Sequence, residues 1–491
     1  MLVSSSSSSS LDRKQQAKGR ETNTSGDRLA TALRDNLKKR KSQQRQRAEG
    51  LNMSNTAGIS MDSLVIQGGN RLRGTIEISG AKNAALPLMC AAIMTDEALH
   101  LTNWPDLADT QSLRALLASL GIASHAKADT LTLEATGTRS LVASYDLVRK
   151  MRASVLVLGP LLARLGEARV SLPGGCAIGS RPVDLHTMAM EKLGAQVDLN
   201  DGYITARAPK GGLRGAVIEF PVSSVGATEN ALMAASLATG TSKIINAARE
   251  PEISDLAQCL NSMGARIKGH GSDVITIEGV ESLGGASHRV IPDRIEAGTY
   301  AIAGAITGGK VKLVGVNPHH LNAVLDALTA TGAEVTINPQ DESPNAHSIT
   351  IKAGKTPPKA IDIATAAYPG FPTDLQAQFM AYMAVAKGES QISETVFENR
   401  FMHVPELQRM GADIHIHNTR LGGVAHIRGC KTLTGAPVMA TDLRASVSLV
   451  LAALAAQGET ILSRVYHLDR GYYRLEDKLN GCGANIRRVK T

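Results

Sequence analysis

The sequence predicts an α/β protein built from six repeats of about 70 residues, arranged as two domains of three repeats each. In each repeat an Ala-rich apolar stretch of helix length comes first. A helical pattern then ends at a glycine followed by a small or aliphatic residue, and strand-like alternation comes after it. The glycine-led pairs are Gly121-Ile122, Gly194-Ala195, Gly264-Ala265, Gly332-Ala333, Gly411-Ala412 and Gly483-Ala484. Glycine suits these positions because a helix commonly ends on a left-handed residue.

Every repeat has the same order of elements. The first helix is predicted over 83–93, 153–163, 228–238, 297–306, 375–386 and 443–456. A short strand follows at 99–102, 169–172, 242–245, 310–314, 391–394 and 460–463. A second, amphipathic helix then runs to the glycine, for example over 112–120, 183–193 and 321–331. Two alternating strands close the repeat, as at 197–199 and 203–206, so the unit reads βαβαββ.

Composition indicates a soluble globular protein with an aliphatic core, since 20% of residues are charged and only 3% aromatic. The five cysteines are scattered and never form a CxxC pair. This pattern favours a reducing compartment, and therefore a cytoplasmic location, over disulfides or a zinc site. His415 and His417 alternate on a predicted strand without a third ligand at metal spacing, so we expect no metal.

The formal net charge of +8 is concentrated at the N-terminus. Residues 1–50 hold 12 Lys and Arg against 5 Asp and Glu. The rest of the chain is therefore nearly neutral, which argues against a nucleic-acid-binding body. We expect residues 1–60 to form a disordered basic tail, because the segment begins with a serine run and has little apolar content. The tail lacks the apolar core of a secretory signal, and it is interpreted as dispensable or as an over-extended start.

Basic residues recur where these helices begin. They are Lys82, Arg152, Arg181, Arg294, Arg400, Arg444 and Arg470. Helix N-termini already present free N–H groups, so added cations create anion sites. Asp and Asn at such positions, Asp109 among them, are explained by helix capping. The pattern predicts a ligand with several negative charges, bound between two domains.

The segment 173–181 (PGGCAIGSR) places Cys176 among glycines, five residues before Arg181. Glycine permits turns and close approach of a ligand. A nearby guanidinium favours the thiolate and can hold an anion beside the sulfur. The alternative is a tight turn with an incidental buried cysteine.

Seven segments in order resemble the UDP-N-acetylglucosamine enolpyruvyl transferases, a branch of the enolpyruvyl transferase family, and the resemblance covers 61–490. They are ISGAKNAAL (78–86), the Cys176 loop through Asp184-Leu185-His186, NAAREPE (246–252), FPTD (371–374), FENRF (397–401), ATDLRA (440–445) and DRGY (469–472). The resemblance implies two inside-out α/β barrel-like domains with the ligand in the cleft between them. It implies domain limits of 82–289 for the cysteine-bearing domain and 61–81 plus 290–491 for the other.

The implied reaction transfers enolpyruvate from phosphoenolpyruvate to the 3′-hydroxyl of UDP-N-acetylglucosamine and releases phosphate, the first committed step of peptidoglycan synthesis. It requires no cofactor. By resemblance, Asp374 accepts the hydroxyl proton and Cys176 is the general acid, which the antibiotic fosfomycin alkylates. Lys82, Arg181 and Arg470 hold phosphate and carboxylate. The resemblance and the cations at helix starts give these substrate-binding positions: Lys82, Asn83, Arg152, Arg181, Pro182, Val183, Asp184, Leu185, Val222, Ser223, Ser224, Val225, Asp374, Val396, Arg400, Arg444 and Arg470.

The sequence departs from the family at two positions, and two other functions are alternatives to the one that the resemblance implies. Val222 and Ala108 stand where some members of the family carry lysine, which reduces the expected number of cations. One alternative is the sister class that transfers enolpyruvate to shikimate 3-phosphate, which lacks the cysteine loop. The other is a non-catalytic paralogue, or a protein that binds nucleic acid through its tail. The expected partners are the two small-molecule substrates, with no nucleic acid and no membrane insertion.

Overall fold

The computed structural model describes residues 62–490 apart from 138–139, 150, 173–182, 340–343 and 420–421. The predicted tail, and Cys176, Arg181 and Pro182, therefore lie outside the described residues. Within the described part, the helices are too short or too polar to cross a membrane.

Apart from one short helix that was not predicted, Tyr145–Val148, the helices follow the predicted order. They are α1 Lys82–Ala91, α2 Ala108–Ser119, α3 Tyr145–Val148, α4 Leu158–Leu165, α5 Asp184–Lys192, α6 Val225–Ser236, α7 Pro251–Ser262, α8 Arg294–Ile306, α9 Asn322–Ala330, α10 Gln376–Met383, α11 Val404–Arg409, α12 Ser446–Ala455 and α13 Leu475–Asn480. Short 3-10 helices occur at Ala92–Met94, Arg152–Val157, Pro318–Leu321, Pro344–Ala346, Thr373–Leu375 and Val465–His467.

The strands are divided between the two halves of the chain, before and after residue 290. Those before residue 290 are β1 Ser63–Gln67, β2 Arg73–Glu77, β3 Leu99–Thr102, β4 Ile122–Lys127, β5 Thr130–Ala135, β6 Val142–Ala143, β7 Glu167–Ser171, β8 Gln196–Asn200, β9 Tyr203–Arg207, β10 Val217–Glu219, β11 Thr241–Ile245, β12 Arg266–Lys268, β13 Val274–Glu278 and β14 Ala286–Arg289. Those after it are β15 Lys310–Val316, β16 Glu334–Asn338, β17 His347–Lys352, β18 Ile363–Ala364, β19 Glu389–Glu394, β20 Asp413–Thr419, β21 Gly422–Arg428, β22 Pro437–Met439, β23 Glu459–Ser463 and β24 Asn485–Val489.

The described strands form four-stranded sheets that share one design, in which three strands are antiparallel and a fourth joins their edge in parallel. Two of the antiparallel strands form a hairpin, except in the sheet β22-β23-β1-β24, where β1 and β24 come from opposite ends of the chain. In the sheet of β10, β11, β13 and β12, strands β12 and β13 form the hairpin, β11 pairs antiparallel with β13, and β10 joins β11 in parallel. Together with α6 and α7 these strands give the order βαβαββ. The predicted α/β class and repeat unit are therefore confirmed.

Helices fill the interior of each half, and the sheets lie outside them. In the second half α8, α10 and α12 pack against one another, and every residue of α8 from Ile295 onward is buried. Gly298 permits this approach, because a Cβ there would lie 2.4 Å from Leu375 Cδ1. The abundance of alanine and glycine and the scarcity of aromatic residues thus follow from close packing between helices.

Two separate hydrophobic cores form, one from residues between 81 and 291, the other from residues 64–78 and 295–486. The chain crosses between the two halves twice, and the two crossing segments are hydrogen-bonded to each other. Ala81 N–H donates to Ile291 O, and Asp293 N–H donates to Ser79 O. Strands β1 and β2 pair with β23, β24 and β15 of the second half, whereas β14 pairs with β3 of the first. We propose that these cores correspond to the domains 82–289 and 61–81 plus 290–491.

Several helix limits differ from the prediction. The helix predicted over 112–120 begins earlier, at Ala108, because Thr110 Oγ1 accepts the Leu107 N–H and helps to start the first turn. The helix predicted over 153–163 begins later, at Leu158, because a 3-10 segment, Arg152–Val157, precedes it.

Candidate active site

Lys82 is the first residue of α1, directly after the segment that passes between the two halves. Its side chain is mostly buried, and Nζ donates to Asp109 Oδ2 at 3.2 Å. Burial lowers the pKa of Lys82, and the neighbouring Arg444 and Arg470 lower it further, against the attraction of Asp109. Asp109 is therefore the group that offsets the burial of Lys82 and the charge of the two neighbouring arginines.

Asp109 joins Lys82 to an arginine from the other end of the chain. Arg470 donates through Nε to Asp109 Oδ1 at 2.8 Å and through Nη2 to Oδ2 at 3.5 Å. The backbone supports this contact, since Ala108 N–H donates to Asp469 O. Burial alone would raise the pKa of Asp109, but Lys82 and Arg470 outweigh it and hold that pKa below its ordinary value. We call Asp109, Lys82 and Arg470 the Asp109 cluster.

Asp374 forms a second ion-pair cluster immediately before α10. Arg400 Nη2 donates to Asp374 Oδ1 at 2.6 Å, and Arg444 Nε lies 3.8 Å from Oδ2. Burial would raise the pKa of Asp374, but the two guanidinium groups outweigh it and keep the carboxyl ionised. We call Asp374, Arg400 and Arg444 the Asp374 cluster.

The two clusters are connected through Arg444. Its Nη1 donates to Gly471 O at 3.1 Å, next to Arg470, and its Nη2 donates to Asp293 Oδ2 at 3.3 Å. Asp293 Oδ1 caps α8 by accepting the N–H groups of Ile295 and Glu296. Since Arg444 also lowers the pKa of Lys82, the clusters form one electrostatic region.

The other predicted binding residues that the structure describes lie near helix starts or on the surface. Ser224 caps α6 by accepting the Ala227 N–H, Asp184 begins α5, and Arg152 begins a 3-10 helix. Val222 and Val396 are exposed, at 61% and 41%. Their exposure leaves both side chains accessible to a ligand. Asn83, Val183, Leu185, Ser223 and Val225 are half-buried.

No group of three or more His, Cys, Asp or Glu side chains in the described part of the chain is arranged to hold a metal ion. The described residues instead place cations around two ionised carboxylates. Such an arrangement can bind a phosphorylated, carboxylate-bearing ligand and stabilise developing negative charge.

The sequence profile of EPSP synthase (3-phosphoshikimate 1-carboxyvinyltransferase) matches residues 66–479. The chain belongs to this enolpyruvyl transferase family.

Three similar curated relatives carry the name UDP-N-acetylglucosamine 1-carboxyvinyltransferase. The protein from Cereibacter sphaeroides is 58% identical over 431 residues, which is 87% of this chain and 100% of the relative. That from Gluconacetobacter diazotrophicus is 58% identical over 432 residues, covering 88% and 100%. That from Caulobacter vibrioides is 56% identical over 434 residues, covering 88% and 98%.

Solved structures show the same fold. The enolpyruvyl transferase NikO from Streptomyces tendae matches with a TM-score of 0.75 and 27% identity, over 88% of this chain and all of that chain. An EPSP synthase from Acinetobacter baumannii matches with a TM-score of 0.67 and 19% identity over the same shares. The two-domain inside-out α/β architecture expected from the sequence is therefore confirmed.

The structure brings five predicted site residues together: Lys82, Asp374, Arg400, Arg444 and Arg470. It also shows that capping was the wrong explanation for Asp109, which lies inside α2 and binds two cations. Asp293, which anchors Arg444, was not predicted. The one feature of the sequence that could have pointed to the ion pairs of Asp109 is that this carboxylate lies at a helix start, where most of the other helix starts carry a cation.

Proposed function

We propose that this enolpyruvyl transferase transfers enolpyruvate from phosphoenolpyruvate to the 3′-hydroxyl of UDP-N-acetylglucosamine, the first committed step of peptidoglycan synthesis. The observation that carries the proposal is 58% identity over the full length of a UDP-N-acetylglucosamine 1-carboxyvinyltransferase. The cationic region supports it, because phosphoenolpyruvate brings a phosphate and a carboxylate.

The reaction is an addition followed by an elimination. The sugar 3′-oxygen bonds to C2 of phosphoenolpyruvate, and a proton is added to the C3 methylene. The tetrahedral intermediate then loses phosphate and one C3 proton, which restores the double bond. Preorganised cations contribute most when they surround the charge that the reaction develops.

Lys82 and Arg470 are proposed to hold the phosphate and carboxylate of phosphoenolpyruvate, together with Arg181. Their convergence on Asp109 supports this role, since the two side chains already hold one anion between them. Arg400 and Arg444 are proposed to hold Asp374 against the sugar.

Asp374 is proposed to accept the proton of the 3′-hydroxyl. Its ion pairs keep it ionised at neutral pH and also make it a weak base. A weak base suffices if proton transfer accompanies formation of the C–O bond, because the attacking oxygen becomes strongly acidic as that bond forms.

Cys176 is proposed as the general acid at the methylene carbon, on the sequence of its glycine-rich loop. A mass-spectrometric experiment tests this role. Fosfomycin should alkylate Cys176 alone, and Cys176→Asp should stay active while resisting the drug, because it keeps an acid but loses the nucleophilic sulfur. An adduct on Cys90, Cys259, Cys430 or Cys482 would contradict the assignment.

The nucleotide sugar is proposed to lie along the starts of α5 and α6. Positions 181–185 and 222–225 surround these two helix starts, and Asn83, Arg152 and Val396 complete the set. The exposed N–H groups of a helix start favour a diphosphate.

Transfer to shikimate 3-phosphate is the competing activity. Identities of 56–58% with the UDP-sugar enzymes, against 19% with an EPSP synthase, favour the UDP-sugar. A phosphate-release assay with phosphoenolpyruvate and each acceptor in turn distinguishes them. Release with shikimate 3-phosphate alone would overturn the proposal, and release with neither would indicate a non-catalytic paralogue. A cytoplasmic location remains a prediction from the cysteine pattern.

A further inference from the structure

His186 is buried beside the proposed nucleotide-sugar site, and it has no role in the proposed reaction. It lies in the first turn of α5 and is 6% exposed. It directly follows Asp184 and Leu185, two of the proposed binding residues. A histidine buried at this position needs a partner for each ring nitrogen.

Asn230 of α6 fixes the tautomer of this ring. Its Oδ1 accepts the Gly159 N–H at 2.8 Å, and its Nδ2 donates to Val155 O at 3.1 Å. These two contacts fix the orientation of the amide, so Nδ2 also donates to His186 Nδ1 at 2.8 Å. Nδ1 is therefore an acceptor, and the neutral ring carries its hydrogen on Nε2. Burial and the charge of Arg152 lower the pKa of His186 to about 4, so the ring is neutral at physiological pH.

The edge of the ring that carries Nε2 faces the first turn of α6. A Cβ placed on Gly226 would lie 3.1 Å from Cε1 and 3.5 Å from Nε2 of His186. The absence of a side chain at Gly226 leaves this edge open at the helix start that Ser224 caps. In the part of the chain that the structure describes, nothing accepts a hydrogen bond from Nε2.

We propose that His186 Nε2–H donates a hydrogen bond to a diphosphate oxygen of the nucleotide sugar, with Asn230 as the positioning residue. This inference rests on the proposed function and adds a binding residue to it. A diphosphate is the matching acceptor because Arg152 and the N–H groups of the α6 start contribute positive potential to the same place. The neutral ring adds a directed donor without another cation.

Two substitutions separate the ring nitrogens. In His186→Gln the amide nitrogen takes the place of Nε2, so the donor is kept. In His186→Asn the amide takes the place of Nδ1, so the contact with Asn230 is kept and the donor is lost. We expect His186→Asn to weaken UDP binding by about ten- to a hundredfold, the effect of losing one hydrogen bond to a charged group. His186→Gln should stay within about threefold of wild type.

Calorimetric titration with UDP and with UDP-N-acetylglucosamine measures both variants, and His415→Asn on the exposed strand β20 is the matched control. Thermal unfolding checks that each variant is folded, and ¹⁵N NMR of the wild-type ring should show hydrogen on Nε2. Equal UDP affinity of wild type and His186→Asn, or a ring protonated on Nδ1, would overturn the inference. Wild type that binds neither probe would instead overturn the proposed function. If His186→Asn does not fold, ¹⁵N NMR of the wild-type ring with and without UDP decides, because a hydrogen bond from Nε2 to the diphosphate should shift the Nε2 signal, and an unchanged signal would overturn the inference.

Discussion

Asp374 and Asp109 are both carboxylates held between two cations, but their partners come from different parts of the chain. Arg400 and Arg444 lie in the same half as Asp374, and its side chain is 25% exposed. Asp109 pairs with Lys82 of its own half and Arg470 of the other, and its side chain is 4% exposed. The Asp374 cluster is therefore complete within one half, whereas the Asp109 cluster requires contact between the halves. The first suits chemistry at a fixed position, and the second suits holding the site together.

Asp374→Asn should produce the largest change, in turnover. The amide cannot accept the hydroxyl proton, so kcat should fall about 10²–10⁴-fold, the usual value of general-base assistance. Affinity for UDP-N-acetylglucosamine should change far less, because most of its binding groups are untouched. Phosphate release and calorimetry measure the two effects, with Asp413→Asn on β20 as the control. Phosphate release near the wild-type rate would remove Asp374 from the chemistry.

Asp109→Asn should affect stability and anion binding. Loss of the carboxylate leaves Lys82 and Arg470 uncompensated, which should lower the free energy of unfolding by about 1–3 kcal/mol. Inorganic phosphate can replace the lost anion, so it should raise the Tm of this variant more than that of wild type or of Asp413→Asn. Thermal scans at increasing phosphate concentration measure the effect. An identical phosphate dependence in all three proteins would show that the Asp109 cluster is not an anion site.

Lowering the pH should reduce the stabilisation that both clusters contribute to the folded protein. The pKa values of Asp109 and Asp374 are lowered from an ordinary 3.8 in the folded protein. Their stabilisation is therefore fully present above that value and is lost as the pH falls below it. Each carboxyl contributes up to about 1.4 kcal/mol per pH unit in that range. Urea unfolding between pH 5 and pH 3 should show a shallower loss in Asp109→Asn than in wild type, and an equal or steeper loss would contradict the ion-pair assignment.

Deletion of residues 1–60 should have the smallest effect, because the described partners in both clusters lie between Lys82 and Arg470. Asp62 contacts Arg488, and β1 begins at Ser63, so the shortened chain keeps both features. Phosphate release should stay within about twofold of the full chain. Deletion through Gln67 is the comparison, because it removes β1 and should prevent folding. A chain starting at Met61 that is inactive or unfolded would show that the tail is integrated.

The fold was largely predictable because its signals are local. Gly121, Gly194 and the four equivalent glycines mark each repeat, and all six have positive φ angles of about 87° to 107°. Helix limits were less accurate, since Thr110 and the 3-10 segment before Leu158 depend on contacts that short patterns do not encode.

The site was only partly predictable. The cations Lys82 and Arg470 followed from their positions at helix starts, but the ion pairs of Asp109 did not. An acidic residue near a helix start has the same local pattern whether it caps the helix or binds Arg470, which lies 361 residues further along the chain. The tautomer of His186 likewise depends on Asn230, 44 residues away.

The position of β1 constrains how the chain is made. In its sheet the order is β22-β23-β1-β24, so this early strand lies between two of the last strands to be synthesised, with Leu64 paired to Leu462. At about 5–20 residues per second, a ribosome needs tens of seconds to produce those partners. During that interval Leu64 and Ile66, both fully buried in the finished protein, have no sheet to enter. The second half can therefore complete its folding only after β23 and β24 have been synthesised, and β1 is where a chaperone would be needed first.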